Sequence, residues 1–142
     1  MNINYRNASL KDADELFILA TSLATSFELD TGAFNTILQD ILNNINADIV
    51  IVEQASRIIG YVLAFHHSTF YANGLITWIE ELFVVEEYRK MKIGKKLMEL
   101  IEEKAFERGS KLVALATRRA GDFYKSIGYD ESATYFKKTL PI

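Results

Sequence analysis

Two adjacent carboxylates interrupt an apolar run, Trp78-Ile79-Glu80-Glu81-Leu82-Phe83-Val84-Val85. A carboxylate held partly out of water is suited to take a proton from a nucleophile, because desolvation raises its pKa toward the working range. Neighbours on a strand face opposite ways, so only one of the two is expected to reach a site. The alternative is that either one pairs with a Lys or Arg at a sheet edge. A second feature follows in Tyr88-Arg89-Lys90-Met91-Lys92-Ile93-Gly94-Lys95-Lys96. Positions 89–96 carry five positive charges and no negative one, in a chain whose net charge is −3, which leaves −8 for the rest. This cluster falls where a helix is expected to begin, and the positive end of the helix dipole disfavours each cation there by roughly 0.3 kcal/mol or more. A bound anion reconciles the two: free N–H groups, the dipole and the lysines then act on one phosphate, and Gly94 lets it approach the backbone. A solvated lysine-rich turn is the other reading of the same charges. The spacing is neither that of a Walker loop nor that of a dinucleotide fingerprint, since Gly94 is the only glycine present.

What is absent narrows the chemistry. The chain has no cysteine, which excludes a disulfide scaffold, a thiolate metal site and a Cys nucleophile. Its two histidines, His66 and His67, are adjacent and on a strand would point to opposite faces. That argues against a zinc hydrolase or a His-dependent triad, and no metal is expected. His66 and His67 are read as core or solvent-facing residues before a cleft role. The reaction must use carboxylates, hydroxyls, phenols or a reactive group carried in by a cosubstrate. The negative balance argues against non-specific nucleic-acid binding. The opening MNINYRNASLKDADELF is too polar and acidic for a secretory signal, and no run approaches the roughly 20 apolar residues of a membrane span. A soluble cytoplasmic protein is the expectation.

The elements that must position these groups follow from periodicity. The 142 residues fit one domain of the common size, about 100–150 residues, so residues 1–142 are read as a single domain. Residues 2–7 read as a strand. Ser9 begins a helix as N-cap, with Leu10, Ala13, Leu16, Phe17, Ala20, Leu23 and Ala24 at helical spacing. A loop over 25–30 leads to a second amphipathic helix carrying Phe34, Ile37, Leu38, Ile41, Leu42 and Ile45, ended by Asn43, Asn44 and Asn46. The period then changes: strands over 48–53 and 58–65 form a hairpin, and a long strand runs over 75–85. A helix over 93–108 stops at Gly109, a strand covers 111–116, a short helix runs over 118–127 to Gly128, and a last strand covers 133–140. The order is β-α-α-β-β-β-α-β-α-β. Short connections make the middle strands antiparallel, and the strand-helix-strand unit makes a parallel crossover. The expected class is therefore α/β (α+β): a mixed, mostly antiparallel sheet flanked by helices.

Three segments carry a resemblance to the GNAT superfamily of acetyl-CoA-dependent N-acetyltransferases. WIEELFVVEEYRKMKIGKKLMELI resembles that family's strand-loop-helix, usually of the form L-x-V-x-P-x-[YF]-[RQ]-x-x-G-x-G-[KR]. KLVALAT resembles the strand that follows, and RRAGDFYKSIGY resembles an A-x-x-[FL]-Y-x-x-x-G-[FY] ending. The element order agrees with the family fold. The resemblance implies roles residue by residue. Leu82, Phe83 and Val84 match the backbone that pairs with the pantetheine arm, as an added strand. Arg89, Lys90, Met91, Lys92, Ile93, Gly94 and Lys95 match the loop that holds the pyrophosphate. Tyr124 alone would read as a core residue with a satisfied hydroxyl; by resemblance it is the tyrosine that protonates the departing thiolate. Glu80 and Glu81 match acidic positions for a general base or for substrate binding, Glu80 being favoured. There are three departures: the first loop glycine is Lys92, the usual Pro after the strand is Glu86, and the Asn that touches the cofactor is Thr117.

The expectation is an enzyme, an acyltransferase moving acetyl from acetyl-CoA to a primary amine by direct attack in a ternary complex. The acceptor is expected to be a small-molecule amine such as a polyamine or aminoglycoside-like compound. A protein N-terminus or lysine, a non-catalytic CoA-binding module, and a phosphate-binding domain without CoA are the alternatives. Arg118 and Arg119 are read as a surface pair before a contact with substrate or phosphate. Phe27, Phe34, Tyr71 and Trp78 are candidates for an acceptor wall, with core packing the default for Trp78. A homodimer through sheet edges is possible.

Overall fold

A computed structural model describes residues 2–141. The elements are β1 (Ile3–Asn7), α1 (Ala13–Leu23), α2 (Thr31–Leu42), β2 (Ala47–Gln54), β3 (Arg57–Thr69), β4 (Gly74–Val84), α3 (Ile93–Glu107), β5 (Val113–Leu115) and α4 (Gly121–Ser126). Short 3-10 turns precede α1 at Leu10–Asp12 and follow β4 at Glu86–Tyr88. The five strands lie in sequence order across one sheet. β1 to β4 are antiparallel and β5 is parallel to β4. This is the mixed α/β sheet expected from the sequence.

Alternating apolar side chains sort onto the two faces of the sheet. One face carries Val50, Val52, Ile59, Val62, Ala64 and Ile79, which pack on Ile93, Leu97, Met98 and Ile101 of α3. The other carries Ile49, Ile51, Ile58, Tyr61 and Leu63, packed on Leu16 and Leu19 of α1 and Leu38 of α2. Helix starts are tied locally. Asp30 caps α2 by accepting from the Ala33 N–H at 2.8 Å. Asp12, buried before α1, accepts from the Ser9 N–H at 2.8 Å and from both terminal nitrogens of Arg6 at 2.7 and 2.9 Å. The Arg6 guanidinium holds the Asp12 carboxyl below the usual carboxylate range.

Two expectations are corrected here. The first helix begins at Ala13 rather than just after Ser9, because the turn over Leu10–Asp12 is spent on placing Asp12 against Arg6. The expected last strand over 133–140 does not form: among the described residues, 130–141 are irregular and exposed, and no backbone hydrogen bond ties them to the body. A strand needs a partner edge, and among the described residues no strand of the sheet pairs with the segment. The element order therefore ends at α4.

Candidate active site

The centre of the site is a defect in the sheet. Ala64 of β3 faces Ile79 of β4, and Leu63 faces Glu81, so Glu80 is an extra residue with no partner, a β-bulge. A bulge bends the strand, and the effect is visible on the other side of β4. β5 pairs only with Thr77, Trp78 and Ile79, and pairing stops at the bulge. From Glu80 to Val84 the strand has a neighbour on one edge alone.

The bulge also separates the two carboxylates. Glu80 is exposed. Glu81 is half-buried beside Leu63, and its Oε1 accepts a hydrogen bond from the Tyr61 hydroxyl at 2.6 Å. Tyr61 is 4% exposed, and burial first, then the Glu81 charge, raises its phenol well above the usual range. The proton therefore stays on Tyr61, and Glu81 receives it as an acceptor. Oε2 of Glu81 makes no hydrogen bond among the described residues.

Beyond β4 the chain turns into α3 through the basic loop. Lys90 and Lys92 take left-handed backbone conformations, with φ of 71° and 62°. Lys92 is the N-cap of α3, yet no side chain caps the helix. The first helical bond runs from the Lys96 N–H to the Lys92 carbonyl, so the N–H groups of Ile93, Gly94 and Lys95 have no helical partner. Lys90, Met91, Lys92, Lys95 and Lys96 are exposed, whereas Ile93 is buried in the core. Arg89 turns back: its Nε donates to the Val84 carbonyl at 2.8 Å and its guanidinium lies over the Phe83 ring, 5.5 Å from the centroid. Gly94 has a packing reason the sequence did not reveal. A Cβ there would lie 3.3 Å from Cζ of Phe123, so the glycine lets α4 close on α3.

Tyr124 sits on α4, edge-on to Phe123 at 4.9 Å and to Tyr129 at 5.8 Å between centroids. Its hydroxyl makes no hydrogen bond among the described residues, while the Tyr129 hydroxyl is taken by Glu102 at 2.6 Å. Burial pushes the Tyr124 phenol up to about 12, so it keeps its proton at neutral pH. Thr117 accepts from the Ala120 N–H at 3.1 Å and so shapes the turn into α4; Arg118 and Arg119 beside it are exposed. Leu82 and Val84 face the α3 core, and Phe83 faces the other layer. Of the aromatic candidates, Phe34 is packed edge-on to Phe17 and Phe27 is exposed in the α1–α2 loop. Tyr71 lies exposed in the β3–β4 turn.

Sequence reasoning missed two groups. Tyr61 lay hidden in the apolar run IIGYVLAF, where the signal was a phenol that needs a partner once buried. The other is the chain of polar groups around His66. Its ring, buried, lies 2.8 Å from Thr77 Oγ1 through Nδ1 and 2.8 Å from Asp48 through Nε2; Thr77 in turn lies 2.7 Å from Ser110 Oγ. A neutral ring satisfies this set when Nε2–H donates to Asp48 and Nδ1 accepts from Thr77. Desolvation lowers the His66 pKa, against the pull of Asp48. Arg108 completes the set, 3.2 Å from Asp48. His67, its neighbour, is exposed.

The structure brings to this end of the sheet a splayed strand pair, an uncapped basic helix start and a phenol whose hydroxyl has no partner among the described residues. The profile described as "Acetyltransferase (GNAT) family" matches residues 14–129, and the chain belongs to that family. It is an acyltransferase, and the family uses acetyl-CoA as cosubstrate. An aminoalkylphosphonate N-acetyltransferase of Salmonella typhimurium is 30% identical over 139 residues, covering 95% of this chain and 90% of the relative. A thialysine N-epsilon-acetyltransferase of Bos taurus is 34% identical over 80 residues, covering 53% of this chain and 46% of that one. A glucosamine-6-phosphate N-acetyltransferase from Arabidopsis thaliana has the same fold, with a TM-score of 0.87 at 20% identity over 99% of this chain and 100% of that one.

Proposed function

We propose that this protein transfers acetyl from acetyl-CoA to the primary amine of a small molecule, directly and without an acetyl-enzyme. The observation that carries the reading is the bulge at Glu80, which parts β4 from β5 beside the uncapped, basic start of α3. The free edge over Leu82, Phe83 and Val84 is suited to amide pairing with a pantetheine arm. The N–H groups of Ile93, Gly94 and Lys95, with Lys90, Lys92 and Lys95 around them, are suited to a pyrophosphate; Arg89 and Met91 complete the loop. Acetyl-CoA supplies the acyl group and a thiolate that leaves. Glu81, held by Tyr61, takes the proton from the acceptor ammonium, directly or through water, with Glu80 as the alternative base. The strand N–H groups near Phe83 stabilise charge developing on the acyl oxygen. Tyr124 keeps its proton until the C–S bond breaks and then donates it to the thiolate, and the second proton lost by the acylated nitrogen returns to the phenolate through water.

The small-molecule acceptor draws support from the relative that covers 95% of this chain and is named for aminoalkylphosphonates. Thiol release from acetyl-CoA, followed with short aminoalkylphosphonates, thialysine, polyamines, aminoglycosides and N-terminal peptides, tests the reading. Turnover with one of the small amines is expected. Turnover confined to peptides would move the acceptor to proteins, and no turnover with CoA still bound would leave a binding module.

A further inference from the structure

We propose that Gly60 is a positioning residue for acetyl-CoA: without a Cβ, it lets the Phe83–Val84 stretch of β4 lie tight against β3, and so sets the depth of the free edge offered to the pantetheine arm. The proposal rests on the acetyl-transfer reading and carries it to a residue that touches no ligand.

A glycine inside a strand weakens it, having no side chain to pack and the most freedom to lose. Gly60 is nevertheless buried in the middle of β3, in the apolar run Ile58-Ile59-Gly60-Tyr61-Val62. Its φ is not positive, so the backbone there is one that any residue adopts. Space is what demands the glycine. A Cβ would lie 2.9 Å from the Phe83 carbonyl oxygen, 3.0 Å from Cγ1 of Val52 and 3.4 Å from Cα of Val84. Two of those three atoms are backbone of β4, which cannot turn aside as the end of a side chain can. To bring the first contact out to 3.4 Å, the strands would have to part by roughly half an ångström.

The direction of that displacement gives the glycine its functional meaning. From Glu80 onward β4 has β3 on one edge and the open cleft on the other. A push from Gly60 therefore drives Phe83 and Val84 toward the cleft. Val84 would pass the movement on. Its carbonyl accepts from Arg89 Nε at 2.8 Å, and its Cγ2 lies 4.0 Å from where a Cβ on Gly94 would stand, at the start of α3.

The close approach is built from both sides of β3. Val52 faces Gly60 and Glu53 faces Ile58, so Ile59 is an extra residue and a second bulge. Both residues before Gly60 are anchored: the Ile58 N–H donates to Glu15 Oε2 at 2.8 Å, and the Ile59 carbonyl accepts from the Val85 N–H at 2.8 Å. The two bulges bracket four β3–β4 pairs, from Gly60–Val84 to Leu63–Glu81. Gly60 holds the cosubstrate end of this stretch, and Glu81 stands at the other end.

Gly60→Ala, Val52→Ala and the double variant test the proposal, with CoA affinity read by calorimetry and both KM values by steady-state kinetics. Val52→Ala takes Cγ1 out of reach of the new methyl and leaves the Phe83 carbonyl in its way. Gly60→Ala should weaken CoA binding and raise the KM for acetyl-CoA about tenfold, with the acceptor KM unchanged. The double variant should keep that loss relative to Val52→Ala alone, even where urea unfolding shows stability regained. A double variant that binds CoA as Val52→Ala does would trace the loss to core packing and overturn the proposal. A folded Gly60→Ala with native affinity would overturn it too. So would failure of Gly60→Ala to fold in both backgrounds, which would assign the glycine to folding alone. The acetyl-transfer reading fails separately: if the native protein binds CoA without turnover, the affinity comparison still decides the role of Gly60, and if it binds no CoA both fall.

Discussion

From Thr77 to Ile79, β4 has a hydrogen-bonded strand on each side; from Glu80 to Val84 it has one. The first stretch is closed around Thr77. Thr77 is fully buried and its hydroxyl joins His66 and Ser110, while His66 joins Asp48 and Arg108. The second stretch is open: Glu80 is exposed, Glu81 keeps one oxygen free, and the next element starts without a cap. One inserted residue divides them. Below the bulge the Thr77 hydroxyl and the His66 ring are spent on other polar groups of the protein, and above it groups are left over. Leftover donors and acceptors are what a ligand can use, so the division predicts where substitutions will change catalysis and where they will change stability.

The largest expected effect is on the open side. Glu81→Gln keeps the shape and the Tyr61 hydrogen bond but removes the carboxylate proposed as the base, and kcat should fall about 100-fold or more, with Tm and CoA affinity nearly unchanged. Glu80→Gln should cost far less. The reverse order, read in the same steady-state assay, would make the bulge residue the base. Tyr124→Phe keeps the ring packing on Phe123 and Tyr129 and should lower kcat roughly tenfold to 100-fold, with CoA binding by calorimetry unaltered. Equal turnover would remove Tyr124 from the chemistry.

On the closed side the signs exchange. Asp48→Ala strands the His66 N–H and one contact of Arg108, and should cost about 2–3 kcal/mol of stability by urea unfolding, while kcat per folded molecule holds. The same cluster gives a pH dependence. His66 has a lowered pKa in the fold, so below its unfolded value the unfolded chain binds a proton that the folded one refuses. Its contribution is present above about pH 6.5 and lost as pH falls from there through the folded pKa. His66→Gln should flatten that slope between neutrality and mild acid. A slope unchanged in the variant would assign it to other groups.

The division was only half legible in the sequence. Periodicity gives elements, so five of the six expected strands, the three longer helices and the antiparallel-then-parallel order followed from apolar spacing. A bulge is a matter of register, and register depends on partners far along the chain: nothing in Ile79-Glu80-Glu81 alone says which residue β3 skips. The Tyr61–Glu81 bond spans 20 residues and the His66–Asp48 bond 18, beyond any local pattern. The segment 133–140 has the composition of a strand, but composition cannot supply the neighbour that makes one. The basic loop was legible because charge against a helix dipole is a local contradiction.

The smallest expected effect tests that contradiction from within. Lys92 holds φ at 62°, a conformation that costs a residue with a Cβ roughly 1 kcal/mol and costs glycine little. If Lys92 were there for the fold alone, the position would favour glycine. Lys92→Gly should therefore stabilise the free protein by up to about 1 kcal/mol, since the strain it relieves is partly offset by the greater freedom of an unfolded glycine. If the lysine is retained for a phosphate, the same substitution should weaken CoA binding a few-fold, more at low salt than at high. The two signs are the point of the experiment. Opposite signs mean that the open side of the bulge accepts a strained backbone in exchange for a charge the ligand uses. A gain in stability with CoA affinity unchanged would mean that the lysine is a solvated turn residue, and that Lys90, Lys95 and the bare helix start hold the phosphate without it.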